Sequence, residues 1–175
     1  MPGLLENHIA VVTGAGSGIG RAIAVGYARE GASLAVLDIN GEAARETAKQ
    51  IADAGGKAQS FTLDVTDRAA CRAMATEVEA KVGRVSVLVN NAGIARRNGV
   101  TADPDTVLKD WQDIMDINLN GVFNVTQAFL AQLRASKGRI VNLGSVQSFV
   151  HLRTPTSPAY TTAKHAVTGL TKSTS

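Results

Sequence analysis

Tyr160 and Lys164 stand four residues apart in the segment Tyr160-Thr161-Thr162-Ala163-Lys164. On a helix that spacing puts both side chains on one face, a turn apart. A free tyrosine titrates near about pH 10, too high for efficient proton exchange at neutrality. A neighbouring ammonium favours the phenolate and brings tyrosine into range as a general acid/base. The same pair also occurs on ordinary solvated helix faces, so the spacing alone is compatible with no chemistry. A second group lies near the other end, in Thr13-Gly14-Ala15-Gly16-Ser17-Gly18-Ile19-Gly20. Glycines there permit a tight turn and let backbone amides approach a pyrophosphate, while the helix that follows points its N–H groups and positive dipole end at the anion. Ile19 occupies the place of the third glycine of G-x-G-x-x-G, and a purely structural loop is the rival reading. Asp38 closes the next apolar run, where an acid binds the adenosine ribose hydroxyls of NAD. A carboxylate there would repel the 2′-phosphate of NADP, and neither Ser17 nor Ile39 offers a basic side chain. The expectation is NAD(H) in preference to NADP(H), against the plainer possibility that Asp38 is a turn residue or a helix N-terminal acid.

The elements that must position these groups alternate. Short β-branched runs predict strands over 8–12, 33–37, 58–63, 85–89 and 139–143. Amphipathic stretches predict helices over 19–30, 42–54, 68–82, one long helix over 106–136, and a last one over 159–172. Gly31, Gly55 and Gly83 fall just past helix ends, as C-terminal glycines do. The run Val85 to Val89 has almost no polar residue, as befits a strand covered on both faces. Strands alternating with helices imply an α/β fold with a doubly wound parallel sheet. No repeat or linker interrupts residues 1–175, and one domain is expected.

Composition narrows the function classes. The 175 residues are 45% hydrophobic and 19% charged, with a net charge of only +3, the balance of a globular domain with a sizeable core. Lysines and arginines are interspersed with acids, which argues against nucleic acid as a partner. Met1 to Asn7 lacks a basic region followed by an apolar one, and no apolar run is long enough to span a bilayer, so a cytoplasmic protein with no membrane association is expected. Cys71 shares a helical stripe with Met74, Val78 and Val82 and reads as a small buried hydrophobe. His8, His151 and His165 have no metal-like spacing, and no metal is expected.

Taken in order, Thr13-Gly14-x-x-x-Gly18-x-Gly20, Asp64-Val65, Asn90-Asn91-Ala92-Gly93, Asn118, Ser145 and Tyr160-x-x-x-Lys164 resemble the short-chain dehydrogenase/reductase family, over essentially the whole chain. The glycine spacing is similar to that of its single-domain branch, including 3-oxoacyl-carrier-protein reductases and sugar or polyol dehydrogenases. The resemblance implies a Rossmann-like fold and hydride transfer between NAD(H) and an alcohol or carbonyl. Tyr160 would exchange the proton on the substrate oxygen. Lys164 would assist it and bind the nicotinamide ribose, Ser145 would hydrogen-bond the substrate, and Asn118 would hold a water linking Lys164 to solvent. Gly14, Ser17, Gly18, Ile19, Gly20, Asp38, Asp64, Val65, Asn91, Ala92 and Gly93, with Tyr160 and Lys164, would contact the cofactor.

Each of these positions has a plainer role open to it: Ser145 as a strand-end cap, Asn118 as a solvated helix residue, Asn90-Asn91 as a turn, and Asp64 as the cap of the next helix. Ser86 departs from the aspartate usual in the family, a change expected to touch local packing. The stretch from Ser145 to Tyr160, with Phe149, His151, Leu152, Arg153, Pro155 and Pro158, implies its own substrate preference. Family members continue beyond the position of Ser175, so the resemblance implies a C-terminally incomplete domain, and a non-catalytic dinucleotide-binding fragment is the second reading. Apolar positions Val122, Phe123, Val125, Phe129 and Leu133, with Ala166, Val167 and Leu170, exceed one sheet-facing stripe and predict a homodimer or homotetramer.

Overall fold

A computed structural model describes residues 3–150 and 156–174. His151, Leu152, Arg153 and Pro155, on which part of the substrate preference was expected to rest, lie outside the described residues, as do Met1, Pro2 and Ser175. Five strands, β1 (Ile9–Thr13), β2 (Ser33–Asp38), β3 (Lys57–Thr62), β4 (Val87–Asn90) and β5 (Arg139–Asn142), form one parallel sheet in the order β3-β2-β1-β4-β5. The helices are α1 (Gly18–Arg29), α2 (Gly41–Asp53), α3 (Arg68–Lys81), α4 (Pro104–Met115), α5 (Val122–Ala135) and α6 (Pro158–Ser173).

The sheet is covered on both faces because its central strands are apolar on both. Alternate residues of β1 supply two separate cores. Val11 packs with Cys71, Met74 and Val78 of α3 and with Val125, Phe129 and Leu133 of α5. Ala10 and Val12 pack with Ala24 of α1 and with Ala44, Ala48 and Ile51 of α2. All four residues of β4 are buried, whereas β3 and β5, the outer strands among the described residues, alternate buried or half-buried with exposed. A period of two is what a strand covered less completely requires.

Local signals fix where most helices begin. Asn40 caps α2 by accepting from Ala43 N–H, Asp67 caps α3 by accepting from Ala69 and Ala70, and Asp103 caps α4, with Pro104 at its first position. Each satisfies N–H groups that have no partner inside the helix. The hydrogen bond from Thr106 N–H holds the Asp103 carboxyl below the usual carboxylate range.

Two features differ from the expectation. The long helix over 106–136 starts at Pro104 and contains a π-helical stretch, Asp116–Gly121, between α4 and α5; an inserted residue of this kind leaves no mark on hydrophobic periodicity. A turn of 3₁₀ helix, Val146–Ser148, follows β5. Ser86 bridges the base of β1: its hydroxyl lies 2.9 Å from His8 Nδ1 and accepts from Ile9 N–H at 3.2 Å. The apolar excess of α5 is also largely absorbed inside the subunit. Val122, Val125, Phe129 and Leu133 are buried, as is Val167 of α6, which leaves Phe123, at 40% exposed, as the large outward-facing apolar residue of that set.

Candidate active site

The carboxyl ends of parallel strands, where the order of strands reverses direction, leave a crevice suited to a ligand. Here that crevice lies above β1 and β4, as a cleft of about 470 Å³. The glycine turn forms one side, and Tyr160 and Lys164, 144 to 151 residues downstream of Gly14 to Gly16 in the chain, form the other. Gly14, Ser17, Gly18, Ile19, Gly20, Asp38, Asp64, Val65, Asn91, Ala92, Gly93, Asn118, Tyr160 and Lys164 all line it. Ser145 is not among the lining residues, although its neighbours Leu143 and Gly144 are.

The glycine end is built to leave amides free. Ser17 precedes α1 but makes no side-chain cap, and the first turn carries no acid. The start of α1 thus keeps the N–H groups that α2, α3 and α4 satisfy internally. Gly18 has φ +52, and a Cβ there would meet nothing within 4 Å. Uncapped amides over open space fit a diphosphate. Asn91 holds the turn in place, its amide nitrogen donating to the carbonyls of Thr13 at 2.9 Å and Gly14 at 3.1 Å.

The other end is set by α6 and the segment after β4. Lys164 is buried and donates from Nζ to the Leu143 carbonyl at 2.5 Å. Burial lowers its pKa below the ordinary lysine value, because removal from water disfavours the charged form. Its Nζ lies 5.8 Å from the centre of the Tyr160 ring. Asn118, in the π-helical stretch and buried, accepts from Ile94 N–H at 2.8 Å and donates to the Ile94 carbonyl at 2.9 Å. Each amide atom thus makes one bond that fixes the cleft wall, and each keeps the capacity for one more. The Ser145 hydroxyl accepts from Gln147 N–H at 3.2 Å, capping the 3₁₀ turn, and Gln147 in turn accepts from the Thr161 hydroxyl at 2.7 Å on α6. Gln147 was not singled out in the sequence, since a buried glutamine in a short turn carries no periodic signal.

Asp64 accepts from the main-chain N–H and the hydroxyl of Thr66, and Asp67 rather than Asp64 caps α3. Cys71 is fully buried, and burial together with the nearby Asp67 and Asp64 pushes its thiol up to about 11. It faces the core and not the cleft.

A family model described as short chain dehydrogenase matches residues 8–175, and the chain belongs to that family of oxidoreductases. It is 40% identical over 169 residues to D-threitol dehydrogenase of Mycolicibacterium smegmatis, covering 96% of this chain and 63% of that protein. It is 37% identical over 169 residues to a 3-oxoacyl-[acyl-carrier-protein] reductase of Thermotoga maritima, covering 96% and 67%. Among solved structures, a gluconate 5-dehydrogenase from Burkholderia cenocepacia in complex with NADP and tartrate matches with TM-score 0.87 and 42% identity, over 97% of this chain and 65% of that one. A candidate NAD(P) dependent gluconate 5-dehydrogenase from Beutenbergia cavernae, with NADP bound at low occupancy, matches with TM-score 0.88 and 40% identity, over 99% and 67%. The chain thus spans roughly two thirds of the length of these relatives.

These complexes overturn the expectation that NAD(H) is preferred over NADP(H). The local geometry supplies the physical reason. Asp38 is not a free acid waiting for ribose hydroxyls: one carboxylate oxygen accepts from Gly16 N–H at 2.8 Å and the other from Asn40 N–H at 2.9 Å. Its charge is already shared with the main chain. A cation absent from positions 17 and 39 is present at Arg21, whose guanidinium reaches back to the Gly16 carbonyl at 2.5 and 3.1 Å and pairs with Glu46 at 2.9 Å.

Proposed function

We propose that the protein is an oxidoreductase interconverting an alcohol and a carbonyl compound with a nicotinamide dinucleotide, for which the NADP-bound relatives point to NADP(H). One observation carries the reading: Tyr160 and Lys164 share a single cleft with the uncapped glycine turn. The bound dinucleotide supplies the ring that accepts or donates hydride. The amides of Gly18 to Gly20 bind the diphosphate, and Asn91 keeps the turn rigid enough to do so. Tyr160 gives a proton to the substrate oxygen in reduction and removes it in oxidation. The Lys164 ammonium stabilises negative charge on the phenolic oxygen and hydrogen-bonds the nicotinamide ribose. The Ser145 hydroxyl accepts one bond from Gln147 N–H and retains its own hydrogen to donate to the substrate oxygen. Asn118, whose amide keeps a second N–H and a further lone pair beyond its bonds to Ile94, would hold a water linking Lys164 to solvent.

Gluconate and threitol, named in the relatives, are the first alcohols to try. The test is Tyr160→Phe, which keeps the ring and its packing but removes the proton carrier. In the full-length protein kcat falls by about 10²–10⁴-fold, the usual scale of general acid/base catalysis, while the fluorescence-titrated affinity for NADPH stays within about twofold. Lys164→Ala loses both turnover and affinity. Near-normal turnover in Tyr160→Phe sinks the mechanism, and failure of the wild-type protein to bind NADPH or NADH sinks the function. Self-association is part of the same reading, through the exposed Leu108, Trp111 and Phe123; sedimentation as a clean monomer at micromolar concentration counts against it.

A further inference from the structure

The buried acid Asp110 has no part in that reaction. It lies on α4, a helix that contributes nothing to the glycine turn, and only 6% of it is exposed. A carboxylate so placed needs partners, and both come from the segment after β4. Asn98 Nδ2 donates to Asp110 Oδ2 at 2.8 Å, and Arg96 Nε lies 3.8 Å from Asp110 Oδ1.

The spacing along the helix gives the arrangement its meaning. Asp110, Ile114 and Asn118 follow one another at intervals of four, on one face. Asn118 grips the main chain of Ile94, and Asp110 grips the side chains of Arg96 and Asn98. Between them Ile114 packs against Ala159 and Ala163 of α6, with Tyr160 beside them. Ala95, between the two grips, lines the cleft. Arg96 is tied once more, because its carbonyl accepts from Ser157 N–H at 3.1 Å. Ser157 is the N-cap of α6, three residues before Tyr160.

We infer that Asp110 is a positioning residue: it holds residues 95–98 closed against the start of α6 and so sets the substrate end of the cleft. The inference rests on the function proposed above. It predicts an asymmetric defect. The dinucleotide's diphosphate end, built from Gly14 to Gly20 and Asn91, does not touch this cluster. Loss of Asp110 should therefore spare cofactor affinity and damage handling of the alcohol. A stabilising role alone would lower the unfolding midpoint and leave KM for the alcohol unchanged.

Arg96 and Arg97 give a direct probe, since trypsin cuts after arginine once a segment opens. In Asp110→Ala the loop loses hydrogen bonding to a charged partner, worth about 1.5–3 kcal/mol, so cleavage after Arg96 or Arg97 should accelerate about 10–100-fold. Other tryptic sites and the NADPH dissociation constant should change less than about twofold. Asn98→Ala, which removes one partner and leaves Arg96 beside the carboxylate, should give a smaller acceleration in the same place. The exchange Asp110→Asn with Asn98→Asp restores an amide–carboxylate pair and should recover most of the protection. With NADP⁺ and whichever of gluconate and threitol the wild type oxidises, KM for the alcohol should rise at least about tenfold in Asp110→Ala, and fall back in the exchange variant.

Unchanged cleavage after Arg96 and Arg97 in both single variants overturns the inference, as does acceleration shared by every tryptic site, or an unchanged KM in Asp110→Ala. Each of these can occur in a protein that binds NADPH and responds to Tyr160→Phe as proposed, so the positioning role can fail while the function stands. A wild-type protein that binds no dinucleotide removes the function and, with it, this role for Asp110.

Discussion

Gly20→Ala adds one methyl group at the point where α1 passes closest to the turn that precedes it. The new Cβ would overlap the Gly14 carbonyl oxygen and stand 2.5 Å from Asn91 Nδ2 and 2.8 Å from the Gly14 carbonyl carbon. Ordinary contact begins near 3.4 Å, so the turn must retreat by about 1 Å, and overpacking on that scale costs about 1–3 kcal/mol. The retreat also breaks the Asn91 hydrogen bonds to Thr13 and Gly14, worth about 1 kcal/mol net each, for a total of about 3–5 kcal/mol. With a urea dependence of about 2 kcal/mol/M, the unfolding midpoint falls by about 1.5–2.5 M. The same displacement misplaces amides meant for a diphosphate. Loss of one hydrogen bond to a charged group weakens NADPH binding by at least about tenfold. Gly26→Ala is the control: it lies in the same helix, with nothing within 4 Å of the added atom. It should stabilise by about 0.5–1 kcal/mol and leave binding alone. The assays are urea melts and NADPH fluorescence titrations on both variants. If Gly20→Ala melts and binds like wild type, the close approach described here is wrong.

Three further outcomes are expected. Cys71 should react with iodoacetamide at pH 8 about 100-fold more slowly in the native protein than in urea, because its pKa rises from 9.0 to about 11 on folding and only the thiolate reacts. That raised pKa contributes stability present below pH 9 and lost as pH climbs through 11, about 2–3 kcal/mol in all; a wild-type melt with no steeper alkaline decline than Cys71→Ala would contradict it. Lys164 works in the opposite direction. Folding lowers its pKa below 10.5, the unfolded chain binds the proton more tightly, and stability rises with pH through the window between the two values; Lys164→Met should abolish that rise in urea melts. Gln132→Leu should destabilise by about 1–3 kcal/mol, since Gln132 accepts from Val85 N–H at 3.0 Å and its loss leaves that buried group without a partner, while the Ala75 carbonyl, to which Gln132 donates at 2.8 Å, keeps its bond within α3.

The order of strands and helices and most of their bounds were legible in the sequence. Each rests on a local rule: alternation or continuity of apolar residues, a glycine past a helix end, or four-residue spacing on one face. Such rules act over a few residues and can be read without knowing any long-range contact. Charge balance between Asp38 and its surroundings is different in kind. The type of residue 38 is a sequence fact, but whether its carboxylate is free depends on Gly16 and Asn40 turning their amides toward it, and on Arg21 reaching back across the turn. Residues 17, 38 and 39 alone therefore point to NAD(H), whereas the related structures hold NADP.

Tertiary structure also decided what the apolar and polar misfits meant. Val122, Val125, Phe129 and Leu133 looked like more surface than one sheet could cover, yet all are buried within the subunit, because α5 packs on α3 as well as on the sheet. In the sequence Asn118 was equally open to being a solvated helix residue, and nothing singled out Asp110. Their partners appear only when the π-helical stretch and the segment after β4 bring Ile94, Arg96 and Asn98 beside them. A sequence states which side chains can form a bond, and periodicity states which way they face. Only the folded chain determines which partner, many residues away, arrives at hydrogen-bonding distance to leave a group committed or free.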